Sequence, residues 1–207
     1  MALLYFFLAL YRRSDYGRFF VRKDLFRVND SLLNRVASEL FTMTCQSSID
    51  NRPSTIVIGL GNPLMSDEGI GVLLVQKLAQ MAQNGELPGC EDVEFYDGGT
   101  GGLNLLYKIE NRDKVILIDC AKMGQKPGTI RRFTPDQVRS VKNLGHFSLH
   151  EMDILKLLDL TAQLEAAPKE VVIFGIEPAS LEPNPALSET LSSQIETYLK
   201  LIVTELR

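Results

Sequence analysis

A chain of 207 residues has room for one domain with an appendage more readily than for two full domains. Its 45% hydrophobic and 23% charged content is that of an ordinary globular protein, able to build a core without metal or disulfide staples. A net charge of −4 counts against a general nucleic-acid binder, and three cysteines with no CxxC spacing count against a disulfide framework or a thiolate zinc site.

The first ten residues, MALLYFFLAL, are apolar but stop at Arg12 and Arg13. A membrane-spanning helix needs about 20 apolar residues, and a signal peptide carries its positive charge before the apolar run rather than after it. No membrane span and no export are expected, and Cys45, Cys90 and Cys120 fit a reducing cytoplasm. Residues 1–52 hold eight Lys or Arg against five acids and six of the ten phenylalanines, whereas the rest of the chain holds 14 basic and 21 acidic residues. The boundary expected from this shift separates an N-terminal extension, 1–52, from an α/β domain, 53–207. Asp30 is placed to cap a helix with Leu33, Val36, Leu40 and Phe41 on its apolar face. Three readings of the extension stay open: a mobile arm, a partner-binding helix, or sequence outside the natural protein, with Met43 as an alternative beginning.

From Ser54 onward the elements alternate. Thr55–Leu60 is a β-branched run ending at glycine and reads as a buried strand. The helical spacing of Ile70, Leu73, Leu74, Leu78 and Met81 predicts a helix over Gly69–Asn84. A second strand is expected at Val93–Tyr96, a helix at Leu103–Ile109, and the clearest strand of the chain at Lys114–Ile118. A strand at Thr129–Phe133 follows a turn at Pro127–Gly128. Then come a helix over His150–Leu160, a strand at Val171–Ile176 and one long amphipathic helix over Ser188–Leu206. Apolar strands alternating with helices predict a largely parallel sheet covered on both faces.

In open α/β sheets, ligands bind beyond the carboxyl ends of the strands, so the polar residues just after each strand are the candidates. GLGNPLMSDEGIG, residues 59–71, follows the first strand; the third glycine of a dinucleotide fingerprint would fall at Leu64, which counts against nucleotide binding. Asp67 and Glu68 open the next helix, and both have a structural reading, with Ser66 or Asp67 as cap and Glu68 against the dipole. Asp119 ends the run VILID, where it reads equally well as a loop cap. Only two histidines occur, His146 and His150, four apart, with Ser148 the expected cap between them. Cys120 reads as a buried small hydrophobe. Each residue alone has a structural explanation. Together, two carboxylates and an imidazole at strand ends and a helix start can make a three-ligand site with open positions for a divalent transition metal, and ligand type leaves the metal unsettled.

Several segments, in order, carry a resemblance: IVIGLGNPLMSDEGIG (56–71), VEFYDGGTGGLNLL (93–106), NRDKVILIDCA (111–121), PGTI (127–130), SLHEMDILKLL (148–158) and GIEPASLEP (175–183). Over residues 55–207 the chain resembles the nickel-iron hydrogenase maturation endopeptidases, which trim the C-terminal extension of the hydrogenase large subunit. The resemblance implies a three-layer α/β sandwich around a mixed, mostly parallel five-stranded sheet. It also implies aspartic-type endopeptidase activity with Glu68, Asp119 and His150 as metal-reading and catalytic residues, His146 being second choice. Asp67, with Asp97, Gly98, Gly99 and Thr100 of the DGGT loop, is expected to shape the cleft for the substrate tail. Nickel is expected to arrive in the substrate, the precursor of the large subunit, with no organic cofactor, no nucleic acid and a monomer or weak oligomer in solution. Residues 1–52 have no counterpart in the family pattern.

Two rivals start from the same residues. IVIGLGNP also opens peptidyl-tRNA hydrolase, but that family places a catalytic histidine shortly after the motif, and none occurs here before His146. A non-proteolytic nickel chaperone or adaptor for hydrogenase assembly is the alternative of another class. No serine–histidine or cysteine–histidine pair suggests a covalent acyl-enzyme.

Overall fold

The computed structural model describes residues 11–13, 19–21, 52–141 and 149–206. The chain divides into two units, Met1–Arg52 and Pro53–Arg207. In the first, strands β1 (Tyr11–Arg13) and β2 (Phe19–Val21) pair antiparallel, Tyr11 opposite Val21. The helix expected after Asp30, together with Met43 and Cys45, lies outside the described residues. Among the described residues no helix is long and apolar enough to cross a membrane.

The second unit is built on five strands, β3 (Thr55–Leu60), β4 (Val93–Gly99), β5 (Lys114–Cys120), β6 (Ile130–Phe133) and β7 (Glu170–Ile176), in the order β4-β3-β5-β7-β6. All neighbours run parallel except β6, which closes one edge antiparallel to β7. The runs are apolar at successive positions because both faces are covered. Val57, Ile116, Ile118, Val172 and Phe174 face one core with helices α1 (Ile70–Gln83) and α6 (Ile195–Glu205). Ile56, Ile58, Val115, Leu117 and Ile173 face the other with α2 (Leu106–Ile109), α3 (Pro135–Val141) and α4 (Leu149–Gln163). The result is the expected three-layer α/β sandwich with a mostly parallel sheet.

Three local outcomes differ from the sequence expectation. The strand predicted at Val93–Tyr96 runs on to Gly99, so the first three residues of DGGT belong to the sheet. The single closing helix is two, α5 (Glu189–Ser192) and α6, because the chain turns at Ser193–Gln194. There the Ser192 and Ser193 hydroxyls donate back to the carbonyls of Glu189 and Thr190, competing with the helical ladder. Helix α3 was not expected, yet Thr134-Pro135-Asp136-Gln137 carries a capping box: the Thr134 N–H donates to Gln137 Oε1 and the Gln137 N–H to Thr134 Oγ1. The predicted Pro-Gly turn is present, with Gly128 at φ 86° and the Thr129 N–H donating to the Lys126 carbonyl.

A candidate active site at the carboxyl edge of the sheet

The chain leaves β3 through Asn62–Met65 and makes one 3-10 turn, Ser66–Gly69, before α1. Glycine is required along this path because the backbones touch. A methyl group on Gly71 would lie 2.2 Å from the Ile118 carbonyl oxygen and 2.3 Å from that of Leu60. One on Gly61 would lie 1.8 Å from the Glu68 carbonyl oxygen. Glu68 is thus held at the sheet edge beside the end of β5, where the next residue after Ile118 is Asp119. Glu68 is half-buried, and Asp119 is 1% exposed with Oδ1 accepting the Cys120 N–H at 2.8 Å. Cys120 is buried in the core, as expected.

His150 lies in the first turn of α4. This helix of 15 residues is ~22 Å long, close to the ~23 Å of the seven-residue strand that follows. Its far end is beside the amino edge, where the Asn111 N–H donates to the Ala166 carbonyl and β7 begins. The backbone of His150 lies in its first turn, at the opposite end of the helix. His146 and Ser148 lie outside the described residues, as does the His150 side chain.

Asp67 has a different place from the one its position in the loop suggests. Neither Ser66 nor Asp67 makes a side-chain cap of the helices that follow. The Asp67 carboxylate is 0% exposed and accepts three backbone N–H groups: Ala179 (2.8 Å) and Ser180 (2.9 Å) on Oδ2, and Ser188 (2.8 Å) on Oδ1. It is an anchor between the loops after β3 and β7, turned away from solvent. Its charge also reaches Tyr198, whose phenol is pushed up first by burial and then by the nearby carboxylate while its hydroxyl donates to the Gly128 carbonyl.

The DGGT loop divides in the same way. Asp97 is exposed, but its Oδ1 accepts the Gly99 N–H and its Oδ2 the Gln76 side-chain amide, both at 3.0 Å. Gly98 is packed closely enough that a methyl there would meet Ile58 and Leu60 side chains at 2.8 and 2.9 Å. Gly99, at φ 51°, opens onto empty space, and Thr100 is exposed. Gly61 donates to the Gly99 carbonyl at 2.7 Å, so the loops after β3 and β4 are joined.

Glu177 belongs to this edge and sequence reading missed it. It is 7% exposed, and its Oε2 accepts the N–H groups of Met123 (2.6 Å) and Gln125 (3.0 Å), fastening the loop that follows Asp119. Its place directly after β7 is the signal that would have found it. Among the described residues no group of three His, Cys, Asp or Glu side chains is placed to hold a metal.

The profile of the hydrogenase maturation protease family matches residues 72–205. The chain is 34% identical over 155 residues to the hydrogenase 2 maturation protease of Escherichia coli K12, covering 73% of this chain and 90% of that one. It is 30% identical over 158 residues to the hydrogenase expression/formation protein HupD of Thiocapsa roseopersicina, covering 72% and 68%. Among solved structures, the hydrogenase maturating endopeptidase HybD of E. coli superposes with a TM-score of 0.65 at 33% identity, covering 74% of this chain and 91% of that one.

Proposed function

The chain belongs to the hydrogenase maturation protease family, and on that premise we propose that it removes the C-terminal extension from the nickel-loaded precursor of a nickel-iron hydrogenase large subunit, reading the substrate's nickel through Glu68, Asp119 and His150. The observation that supports the reading is the approach of Glu68 to Asp119: Gly61 abuts the Glu68 carbonyl and Gly71 the carbonyl of Ile118, the residue before Asp119. Carboxylate oxygen and neutral imidazole nitrogen suit a divalent transition metal. The nickel is part of the substrate, so it reports that loading has taken place.

Two chemical roles suit this arrangement. The three residues complete the coordination of the substrate's metal, which polarises the scissile carbonyl as a Lewis acid. A carboxylate at the same edge, Glu68 or Asp119, takes the proton from the attacking water and returns it to the leaving amine. Asp67, its oxygens occupied by backbone N–H groups, is left out of this step. A cytoplasmic setting goes with the reading.

The test combines purified full-length protein with nickel-loaded and nickel-free precursor and follows tail removal on a gel. Cleavage of the loaded form alone is expected, and His150→Ala is expected to abolish it. Equal cleavage of both precursors removes nickel reading from the account, and wild-type turnover by His150→Ala removes that residue. Stable nickel binding with no cleavage of either precursor would favour the chaperone reading.

A further inference from the structure

We infer that Asp67 is a positioning residue: by clasping the loop 179–188 it holds a left-handed kink at Ser66 and so fixes the backbone on which Glu68 stands. The inference rests on the reading of Glu68 as a group that meets the substrate.

Ser66 sits at φ 49°, a region that residues other than glycine seldom occupy. Such a conformation persists where its surroundings over-determine it, and here they do. The Ser66 N–H donates to the Asn184 carbonyl at 2.6 Å and its hydroxyl to the Ala186 carbonyl at 3.1 Å. The Asn184 N–H returns a bond to the Leu64 carbonyl, making a short parallel bridge between Met65 and Asn184. Next in the chain, the Asp67 N–H donates to the Ser180 carbonyl while its carboxylate takes the three N–H groups of Ala179, Ser180 and Ser188. Residues 64–67 are thereby fastened to the loop after β7.

The other side of Glu68 is fixed by close approach. Gly61 abuts the Glu68 carbonyl, and a methyl group on Gly69 would lie 2.6 Å from Pro63 Cα. The Glu68 backbone is therefore gripped between the glycines and the Asp67 clasp, with the kink at Ser66 setting its direction. A wholly buried carboxylate is costly unless hydrogen-bonded. Its three N–H partners are charge-assisted and strong, and none belongs to the helix that Asp67 precedes. The clasp thus serves the loops of the site rather than the start of α1.

The conservative variant Asp67→Asn replaces one acceptor oxygen with an NH2 group, so at least one of the three N–H groups loses its partner. Wild type, Asp67→Asn, Ser66→Val and Glu205→Gln are compared on nickel-loaded precursor, with rates expressed per folded molecule from circular dichroism. Asp67→Asn is expected to lower kcat about 100-fold, the cost of misplacing a reacting group by about 1 Å, with KM little changed. Ser66→Val, whose branched side chain is strained at φ 49°, opposes the kink and is expected to lower kcat. Glu205→Gln, in an ion-pair cluster at the opposite edge, is expected to melt earlier at wild-type kcat. Wild-type kcat in Asp67→Asn overturns the inference, and so does wild-type kcat in Ser66→Val where Asp67→Asn fails to fold. Should the wild type itself not cleave the precursor, the functional reading fails separately. Amide exchange then judges the clasp: at least about tenfold faster exchange at Ala179, Ser180 and Ser188 in Asp67→Asn is expected, and unchanged protection overturns it.

Discussion

The two edges of the sheet satisfy their charges by different means. At the amino edge, side chains neutralise side chains: Lys114 and Arg132 reach Glu170 and Glu205, and the 2%-exposed Arg112 joins Lys108 on Glu94. Arg112 also donates to the carbonyls of Pro53 and Lys108, stitching the start of the domain to the end of α2. At the carboxyl edge, Asp67 and Glu177 are held by backbone N–H groups of neighbouring loops. A carboxylate paired with a cation fixes two side chains, whereas one paired with several N–H groups fixes a length of backbone. The first arrangement supports the fold, and the second holds loops on which other residues stand. Substitutions at the carboxyl edge should therefore change turnover more than stability, and those at the amino edge the reverse.

The strongest test of that contrast is Asp119→Asn. The amide keeps an oxygen for the Cys120 N–H, so the fold is expected to survive with a melting point within a few degrees of wild type. Tail removal is expected to fall about 10²- to 10⁴-fold, the range of an acid–base group, as read by precursor processing over time. Wild-type processing by this variant would take Asp119 out of the site and blur the distinction between the edges.

Gly71→Ala should sharpen the contrast from the side of stability. Its methyl would enter the backbones of Leu60 and Ile118, where no flexible side chain can give way. A loss of about 1–3 kcal/mol is expected in denaturant unfolding, with turnover lost in parallel as β3, α1 and β5 part. A neutral outcome would mean that the approach of α1 to the sheet does not locate Glu68.

Most of this architecture is legible in the sequence, because burial on both faces of a parallel sheet writes itself as short apolar runs, and strand ends then point to Glu68 and Asp119. What is not legible depends on which loops meet. Asp67 precedes a helix and reads as a cap, but its partners lie more than a hundred residues away. Glu177 is hidden within GIEPASLEP because its partners are N–H groups of the loop after β5, and amides carry no side-chain signature. The break at Ser193–Gln194 is part local, in the serine hydroxyls that bond back to the helix, and part tertiary: Gln194 fills the space beside Gly128, and Tyr198 bonds that glycine's carbonyl. The Thr134 capping box, by contrast, was present in the sequence to be read.

Glu177→Gln is a smaller probe at the carboxyl edge. The amide can present its single oxygen to the N–H groups of Met123 and Gln125, but without charge, so tail removal is expected to slow about tenfold as the loop after Asp119 loosens, with a stability loss of no more than about 1 kcal/mol. If Glu177 holds the loop after Asp119, faster amide exchange at Met123 and Gln125 should accompany the loss. Unchanged exchange there would show that the loop is held by other contacts.

The smallest effect belongs to the amino edge and is a matter of pH. Glu205 is brought down to about 2, chiefly by its hydrogen bond from Arg132 and further by Lys114. A carboxylate whose folded pKa lies below its ordinary value near 4.5 binds protons more weakly in the folded state than in the unfolded chain. Its contribution is therefore complete above about pH 4.5 and is lost as pH falls towards 2. Because Arg132 is substantially exposed, the cluster is expected to contribute only about 1 kcal/mol, or roughly 2–4 °C in melting temperature. In Glu205→Gln that decrement should be present at neutral pH and shrink as the wild type is acidified, until the two melting curves converge. A constant gap between them from pH 5 to pH 2 would mean that packing of the Glu205 stem, and not its charge, supports this edge, and the opposition of ion-paired and amide-held carboxylates would lose one of its sides.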